Sequence, residues 1–119
     1  MIVSRRGNLD FVKMLLKNGA KINQKNKQGN TPLMIAIANN SYRVAEYLIK
    51  KGADINVKNK EKNTPLMLAI KSNLDEVTEM LIQKGADITV ENIHGQTPMM
   101  LAENLGKKEI IKFLKKKNK

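Results

Sequence analysis

The stretch "NTPLMIAI" occupies Asn30–Ile37, and the chain repeats it twice with small changes. The copies are "NTPLMLAI" at Asn63–Ile70 and "QTPMMLAE" at Gln96–Glu103, so each begins 33 residues after the one before. A second phrase has the same spacing and occurs as "KNGAKIN", "KKGADIN" and "QKGADIT", starting at Lys17, Lys50 and Gln83. Self-similarity at a fixed period of this length is typical of a repeat array, in which no single unit folds alone.

The repeated phrase has the chemistry of a helix start. Thr31, Thr64 and Thr97 each carry a hydroxyl that can accept a hydrogen bond from a free backbone N–H of the first helical turn. The proline after each threonine fits the first helical position, where its missing N–H costs nothing. The phrase therefore predicts that a short apolar helix begins in every full unit.

A second apolar pattern at helical spacing predicts a longer helix in each unit. We expect these helices roughly over Leu9–Lys17, Tyr42–Lys51, Leu74–Lys84 and Lys107–Lys117. Gly19, Gly52 and Gly85 follow three of them, at the place where a left-handed backbone ends a helix.

Together, the motifs G-x-TPL-x-x-A, V-x-x-LL and GA-x-x-N resemble the ankyrin repeat over the whole chain. The resemblance implies an all-α solenoid, which is a stack of helix pairs joined by β-hairpin finger loops. It also implies one domain, made of a partial unit at about 1–25, two full units at 26–58 and 59–91, and a capping unit at 92–119.

The chain departs from the family pattern at two positions of the repeat. The place that usually holds His is taken by Met34, Met67 and Met100. We expect these methionines to be adaptable core packing, since the flexible thioether fills irregular gaps. The finger turn needs a positive φ, which Gly29 and Gly95 supply without strain and Lys62 must tolerate.

The two ends of the array also differ from its interior. Lys115 stands where other units have an apolar residue, as expected for a terminal unit that faces water. At the other end, Val3 matches Ala36 by the period, so the first unit enters halfway through its first helix. Two explanations stay open: a trimmed first repeat, or a longer array in which Met1 is internal.

Composition restricts the classes of function. The chain has 119 residues, 41% of them hydrophobic but only 3% aromatic, and it has no Cys. The absence of Cys rules out disulfides, thiol catalysis and Cys-ligated zinc, and it is consistent with a reducing compartment. The sequence has no apolar run long enough for a membrane span and no secretory h-region near Met1. We therefore expect an intracellular, cytoplasmic protein, although secretion by a non-standard route stays open.

The net charge of +11 suggests an acidic partner, a nucleic acid or a membrane surface. However, nearly all the basic residues are Lys, and Asn and Ile are abundant, as an A/T-rich genome would produce. Nucleic acid is disfavoured because single strands require exposed aromatic rings for stacking. We expect Phe11, Tyr47 and Phe113 in the core, with Tyr42 alone exposed.

The sequence offers no catalytic constellation. His94 is the single His and lies near a finger turn, without a second His or Cys to complete a metal or catalytic site. Asp75, Glu76 and Glu79 have the spacing of a solvated helix face. We therefore expect no enzyme, no metal and no cofactor.

The resemblance implies protein binding through the concave side, which consists of the finger tips and the exposed face of each first helix. The positions that match it are Arg5, Arg6, Lys25, Lys27, Gln28, Asn30, Asn39, Lys58, Lys60, Lys71, Ile93, His94 and Leu105. Our hypothesis is a monomeric, non-enzymatic interaction module, or scaffold, for an acidic protein. The alternatives are binding of polyanions or nucleic acid through surface Lys, a fragment of a larger ankyrin array, and an inert array coated with solvated Lys.

Overall fold

The computed structural model describes residues 5–117, with side chains from Leu9 onward. Within these residues the chain forms seven α-helices and no strand. The helices are α1 (Arg5–Lys17), α2 (Pro32–Ala38), α3 (Tyr42–Lys50), α4 (Pro65–Lys71), α5 (Asp75–Gln83), α6 (Pro98–Asn104) and α7 (Lys108–Lys117). The repeat phrase thus starts α2, α4 and α6, as the sequence predicts.

The helices form two layers of a solenoid. The short helices α2, α4 and α6 pack side by side in one layer, and α1, α3, α5 and α7 form the other. Each short helix also packs on the longer helix that follows it. The fold is therefore the predicted all-α stack of helix pairs, 41 Å along its longest axis.

The threonine caps form as the sequence predicts. Each Oγ1 accepts a hydrogen bond from the backbone N–H three residues on, at 3.4 Å for Thr31, 3.3 Å for Thr64 and 3.2 Å for Thr97. A proline occupies the start of each of these helices. The cap fixes where the short helix begins, and hence where its apolar side chains meet the next unit.

The methionines of the repeat phrase do not share one environment. Met34 and Met67 are fully buried, as expected for core packing. Met100 is 46% exposed, so the expectation of a core position is wrong there. The reason is that no helix within residues 5–117 packs on the far side of α6.

The carboxyl-terminal face of the stack carries polar residues at positions that are core elsewhere. Glu103 is exposed where Ile37 and Ile70 are fully buried, and Lys115 is exposed where Ile82 is buried. Charged groups at these positions keep the outer face of the last unit hydrated.

The amino-terminal unit differs from its expected form. The structure has one continuous helix, α1, from Arg5 to Lys17, where half of a first helix and a turn were expected before Leu9. Gly7 shares the register of three turn residues with left-handed backbones, which are Asn40 (φ 59), Asn73 (φ 63) and Gly106 (φ 67). Met1–Ser4, to which the half-helix expectation applied, lie outside the described residues.

The finger loops, at 24–30, 57–63 and 90–96, are hydrogen-bonded turns. Each is closed by two backbone bonds, such as Asn26 N–H to Asn30 O and Gly29 N–H to Asn26 O, both 2.9 Å. The expected β-hairpins are not confirmed within the described residues, because the loops are closed by these turn bonds and no ladder extends them. Neighbouring loops are joined by Lys60 N–H to Gln28 O and by Ile93 N–H to Glu61 O, both 3.0 Å.

One asparagine closes each finger loop. Asn26, Asn59 and Asn92 accept the backbone N–H groups two and four residues on, at 2.9–3.1 Å. The side-chain amides also link the loops, since Asn59 Nδ2 donates to Asn30 Oδ1 at 2.9 Å and Asn92 Nδ2 donates to Asn63 Oδ1 at 3.1 Å. The abundance of Asn, which composition alone would explain, therefore has a structural use.

A second asparagine position links consecutive units beyond the helices. Asn23 Oδ1 accepts the backbone N–H of Asp54, and Asn56 Oδ1 accepts that of Asp87, both at 2.8 Å. The two bonds repeat with the period of the array. Polar contacts on the loop side thus accompany the apolar contacts between the helices.

The φ angles of the finger turns show whether Lys62 adopts the left-handed backbone that the sequence predicts. Lys62 has φ 61, beside φ 79 for Gly29 and φ 72 for Gly95, so the lysine does adopt the conformation that the sequence predicts. A side chain with Cβ is strained there by roughly 1 kcal/mol. We expect Lys62→Gly to leave the free energy of unfolding unchanged or to raise it by up to about 1 kcal/mol, measured in urea.

The opposite change at the equivalent position provides a control. A Cβ at Gly29 would lie 3.1 Å from Lys60 N and 3.2 Å from Asn59 Cα, so Gly29→Ala adds a steric clash to the strained φ. We expect this variant to lose more than about 1 kcal/mol of unfolding free energy. A loss of that size for Lys62→Gly would contradict the strain argument.

The asparagine hydrogen bonds predict that equivalent Asn→Ala substitutions in two finger loops differ in their cost in unfolding free energy. Asn92 is buried, and truncating it leaves the side-chain oxygens of Asn63 and Gln96 without their shared donor. We expect Asn92→Ala to cost about 1–3 kcal/mol in urea unfolding. The equivalent Asn26 is exposed, so water replaces its bonds and Asn26→Ala should cost less. Equal losses would mean that the buried links contribute nothing beyond closing the turn.

Candidate partner-binding surface

The first two finger loops carry a strip of exposed lysines. Lys25 and Lys27 lie on or beside the first loop, and Lys58 and Lys60 lie on the second. The loops are in direct contact, since Lys25 Nζ donates to Lys58 O at 3.3 Å and Lys60 N–H donates to Gln28 O. We call Lys25, Lys27, Lys58 and Lys60 the basic strip.

The third finger loop has a different character. Ile93 and His94 are exposed at its tip, and Glu91 is exposed beside them. Its backbone joins the second loop at Glu61, which is also exposed. The loop surface therefore changes along the stack from basic to mixed, with an apolar side chain in its last part.

A second row of expected site residues lies at the other end of the short helices. Asn39 and Leu105 are the C-caps of α2 and α6, and Lys71 is the last residue of α4. All three are exposed. A helix of seven residues is about 10 Å long, so this row and the finger tips form two separate rims.

The two apolar candidates therefore lie apart along the repeat. Ile93 precedes α6 and Leu105 caps its far end, so the short helix separates them. Leu105 instead lines a shallow cleft with Asn73, Lys107 and Ile110. The two exposed apolar side chains therefore stand at opposite ends of α6.

Some of the expected site residues form hydrogen bonds that hold the loops together, and others have side chains outside the described part of the structure. Asn30 is half-buried, and its Oδ1 accepts the bond from Asn59. Gln28 keeps an exposed side chain while its carbonyl joins the loops. The side chains of Arg5 and Arg6 lie outside the described part of the structure.

An ion pair beside Leu105 was not expected from the sequence. Lys107 Nζ lies 2.7 Å from Asp75 Oδ1, and the lysine side chain is only 12% exposed. The pair joins the start of α5 to the turn before α7. Asp75, expected on a solvated helix face, therefore also connects two units.

A fixed negative charge lies at the edge of the basic strip. The hydroxyl and the backbone N–H of Thr89 donate to Asp87 Oδ1, at 2.7 and 2.9 Å, and lower the pKa of that carboxyl below its usual value. The charge of Lys58 adds a smaller effect in the same direction. Asp87 is thus held in its ionised form beside a lysine of the strip.

The aromatic residues only partly follow the sequence prediction. Tyr47 and Phe113 pack against the core, but so does Tyr42, which was expected to be exposed. Phe11 was expected in the core and is instead 55% exposed. The physical reason is that no helix described in residues 5–117 covers that side of α1, which packs against α3 alone.

Sequence reasoning also missed a cluster on the long-helix layer. Two ammonium groups contact the ring of Tyr47, with Lys13 Nζ at 5.4 Å and Lys51 Nζ at 5.6 Å from its centre. The two lysines belong to successive units. They share one aromatic ring, which holds α1 against α3 by a cation–π contact.

Within the described range, no group of three or more acidic or His side chains is arranged to hold a metal ion. No helix among residues 5–117 combines the length and apolar character that crossing a bilayer requires.

Comparison with known proteins identifies the family. The family model described as ankyrin repeats (3 copies) matches residues 1–92 and also residues 57–119. No curated protein matches the chain significantly. The two family matches together span the sequence, and the stacked helix pairs agree with them. The chain therefore belongs to the ankyrin-repeat family.

Proposed function

We propose that this protein is a non-enzymatic module that binds an acidic protein segment through its finger loops and the adjoining rim of the short helices. Ankyrin repeats are generally protein-interaction modules. The observation that carries the proposal is the basic strip, four exposed lysines on two loops that hydrogen-bond to each other. The module acts inside the cell as a monomer.

The charges on the finger loops determine how an acidic partner is oriented on the surface. The basic strip attracts carboxylates toward the first two loops, whereas Glu91 on the third loop, and Glu61 where the second loop meets it, repel them. Complementary charge raises the association rate and sets the orientation more than it raises the affinity. An acidic segment therefore lies across the first two loops.

Apolar anchors hold the bound partner. Ile93 is 54% and Leu105 is 53% exposed, and they stand at opposite ends of α6, about 10 Å long. A few fully desolvated side chains account for most of the affinity of an interface. The partner thus has an apolar residue beyond its acidic part, placed to reach one of these two positions.

Binding of polyanions by charge alone is the competing function. Its support is the lysines of α7, Lys112, Lys115, Lys116 and Lys117, which are exposed in the opposite helix layer. Such binding weakens steeply with salt, because each neutralised phosphate releases counterions. An interface with an apolar anchor keeps most of its affinity as salt rises. A salt titration of the equilibrium constant separates the two functions.

The partner is found by using the folded chain as bait and identifying captured proteins by mass spectrometry. Binding of the captured protein is then measured with purified components, by stopped-flow or surface-based kinetics. The variants below decide whether the proposed surface makes the contact.

We expect the triple reversal Lys27→Glu, Lys58→Glu and Lys60→Glu to slow association tenfold or more at low salt, since steering of this kind changes rates by about 10–10³. The three side chains are exposed, so circular dichroism and the urea midpoint should remain near those of the parent protein. The matched control reverses Lys112 and Lys116 on α7 and should leave the association rate almost unchanged. If the control abolishes binding and the loop variant binds normally, the contact surface is on α7.

Leu105→Asp tests the anchor separately from the charge. We expect dissociation to accelerate roughly thirtyfold, since an anchor contributes about 2 kcal/mol or more, while association slows much less. Met14→Asp is the matched control, because Met14 is a similarly exposed apolar residue in the other helix layer. Equal effects of both variants would remove Leu105 from the interface.

A further inference from the structure

We infer that a cleft between the carboxyl-terminal ends of α1 and α3 binds a small organic phosphate, a molecule that joins an apolar body to a phosphate monoester. The cleft has a volume of about 560 Å³, within the usual range of small-molecule sites. Its lining residues are Lys13, Leu16, Lys17, Ile22, Tyr47 and Lys51. The cleft belongs to the long-helix layer, so this inference is independent of the finger loops and of the proposed function.

The lining of the cleft combines apolar surface with cationic groups. Leu16 and Ile22 pack against the core, and the ring of Tyr47 is half-buried beside them. The other three lining residues are exposed lysines, and no acidic side chain lines the cleft. An apolar lining with a few polar groups is the usual composition of a small-ligand site. The apolar part suits the body of a ligand, and the lysines suit an anionic group attached to it.

The three lysines of the cleft have no carboxylate partner in the described part of the chain. The ion pairs found there involve Lys107 and Lys112. Lys13 Nζ and Lys51 Nζ instead lie 5.4 and 5.6 Å from the centre of the Tyr47 ring. Two like charges on one ring repel each other, and an anion bound beside both ammonium groups offsets that repulsion.

The number of lysines favours a phosphate over a carboxylate. A phosphate monoester carries a charge of about −1.5 to −2 at pH 7, whereas a carboxylate carries a single charge. The same three lysines therefore attract the phosphate up to about twice as strongly. Lysine also binds phosphate well as a point charge, without the fixed geometry that a carboxylate–arginine pair requires.

Two of the lysines have a structural explanation that does not involve a ligand. Lys17 lies in the last turn of α1, and Lys51 is the C-cap of α3. The helix dipole favours a cation at both places. The next unit accordingly has Lys50 and Lys84 at the equivalent positions. These two lysines alone would not indicate a site.

The residues that distinguish the cleft are Lys13 and Tyr47. The equivalent residues in the later units are Glu46 and Glu79 for the lysine, and Met80 and Phe113 for the tyrosine. Lys13 lies one turn before the end of α1, where the other units place an acidic residue that would repel a phosphate. The contact of α1 with α3 thus combines three lysines with a tyrosine, a set that the sequence does not repeat at the following contacts.

The test titrates the full chain with 1-naphthyl phosphate and follows the backbone amides by two-dimensional NMR. We expect saturable shifts at Lys13, Tyr47 and Lys51, with a dissociation constant on the order of 1 mM for a ligand of this size. Inorganic phosphate supplies the charge without the apolar body, and 1-naphthol supplies the body without the charge. Each of these two probes should bind about tenfold more weakly or less.

Lys13→Glu gives the cleft the residue of the next unit and replaces an attraction by a repulsion. We expect it to weaken binding of 1-naphthyl phosphate about tenfold or more. Lys84→Glu is the matched control, because it makes the same change at the repeat position of Lys51 in another unit. Its effect on the dissociation constant should stay within about twofold, since salt screens the more distant charge. Circular dichroism and the urea midpoint show whether each variant is folded.

A gain-of-binding variant keeps the test decisive if Lys13→Glu weakens the fold. Glu46→Lys combined with Met80→Tyr gives the contact of α3 with α5 the two residues that distinguish the cleft. We expect this double variant to bind a second equivalent of 1-naphthyl phosphate, with saturable shifts around positions 80 and 84.

Four outcomes would overturn the inference. An absence of saturable shifts at the cleft would show that it does not bind this chemistry. Binding of inorganic phosphate as strong as that of 1-naphthyl phosphate, or equal weakening by Lys13→Glu and Lys84→Glu, would show attraction by overall charge alone. A folded double variant without a second site would show that the lysine and the tyrosine do not define the site.

Discussion

Each helix pair in this protein buries apolar side chains between its own two helices, but it completes its burial only against the pair before it and the pair after it. Leu33 and Leu66 are fully buried because a neighbouring unit packs on each. The stability of such an array is a sum of units and of interfaces between adjacent units. The ends of the array are therefore the positions where the same sequence pattern has a different environment.

The interior of the fold could be predicted because its signals are local. A threonine followed by proline specifies a helix start whatever surrounds it, and Gly52 and Gly85 have φ 90, as a left-handed helix end requires. Lys62 could be placed in the same way, since the repeat supplies Gly29 and Gly95 as references. The repeat spacing and the Thr-Pro cap together predict where each short helix begins, without any information on long-range contacts.

What could not be predicted depends on contacts between units. The pattern gives Phe11 and Met100 the same apolar positions as buried residues, but it does not state whether a neighbour is present to cover them. The contact of Lys13 with the ring of Tyr47 and the ion pair of Lys107 with Asp75 arise across units in the same way. Of the candidate site, exposure of the loop lysines was predictable, whereas the half-burial of Asn30 under the hydrogen bond from Asn59 required the structure.

The charged carboxyl-terminal face has a consequence for how such an array lengthens. Unit 59–91 has apolar residues on both faces, so a tandem duplication of that unit creates an interface like the existing ones. Duplication of the last unit would instead bury Glu103 and Lys115 against new neighbours, and buried charges without well-placed partners cost several kcal/mol each. Duplication of an interior unit is therefore compatible with the fold, whereas duplication of the last unit is destabilising. The polar face thus disfavours a further repeat that would pack directly on Glu103 and Lys115.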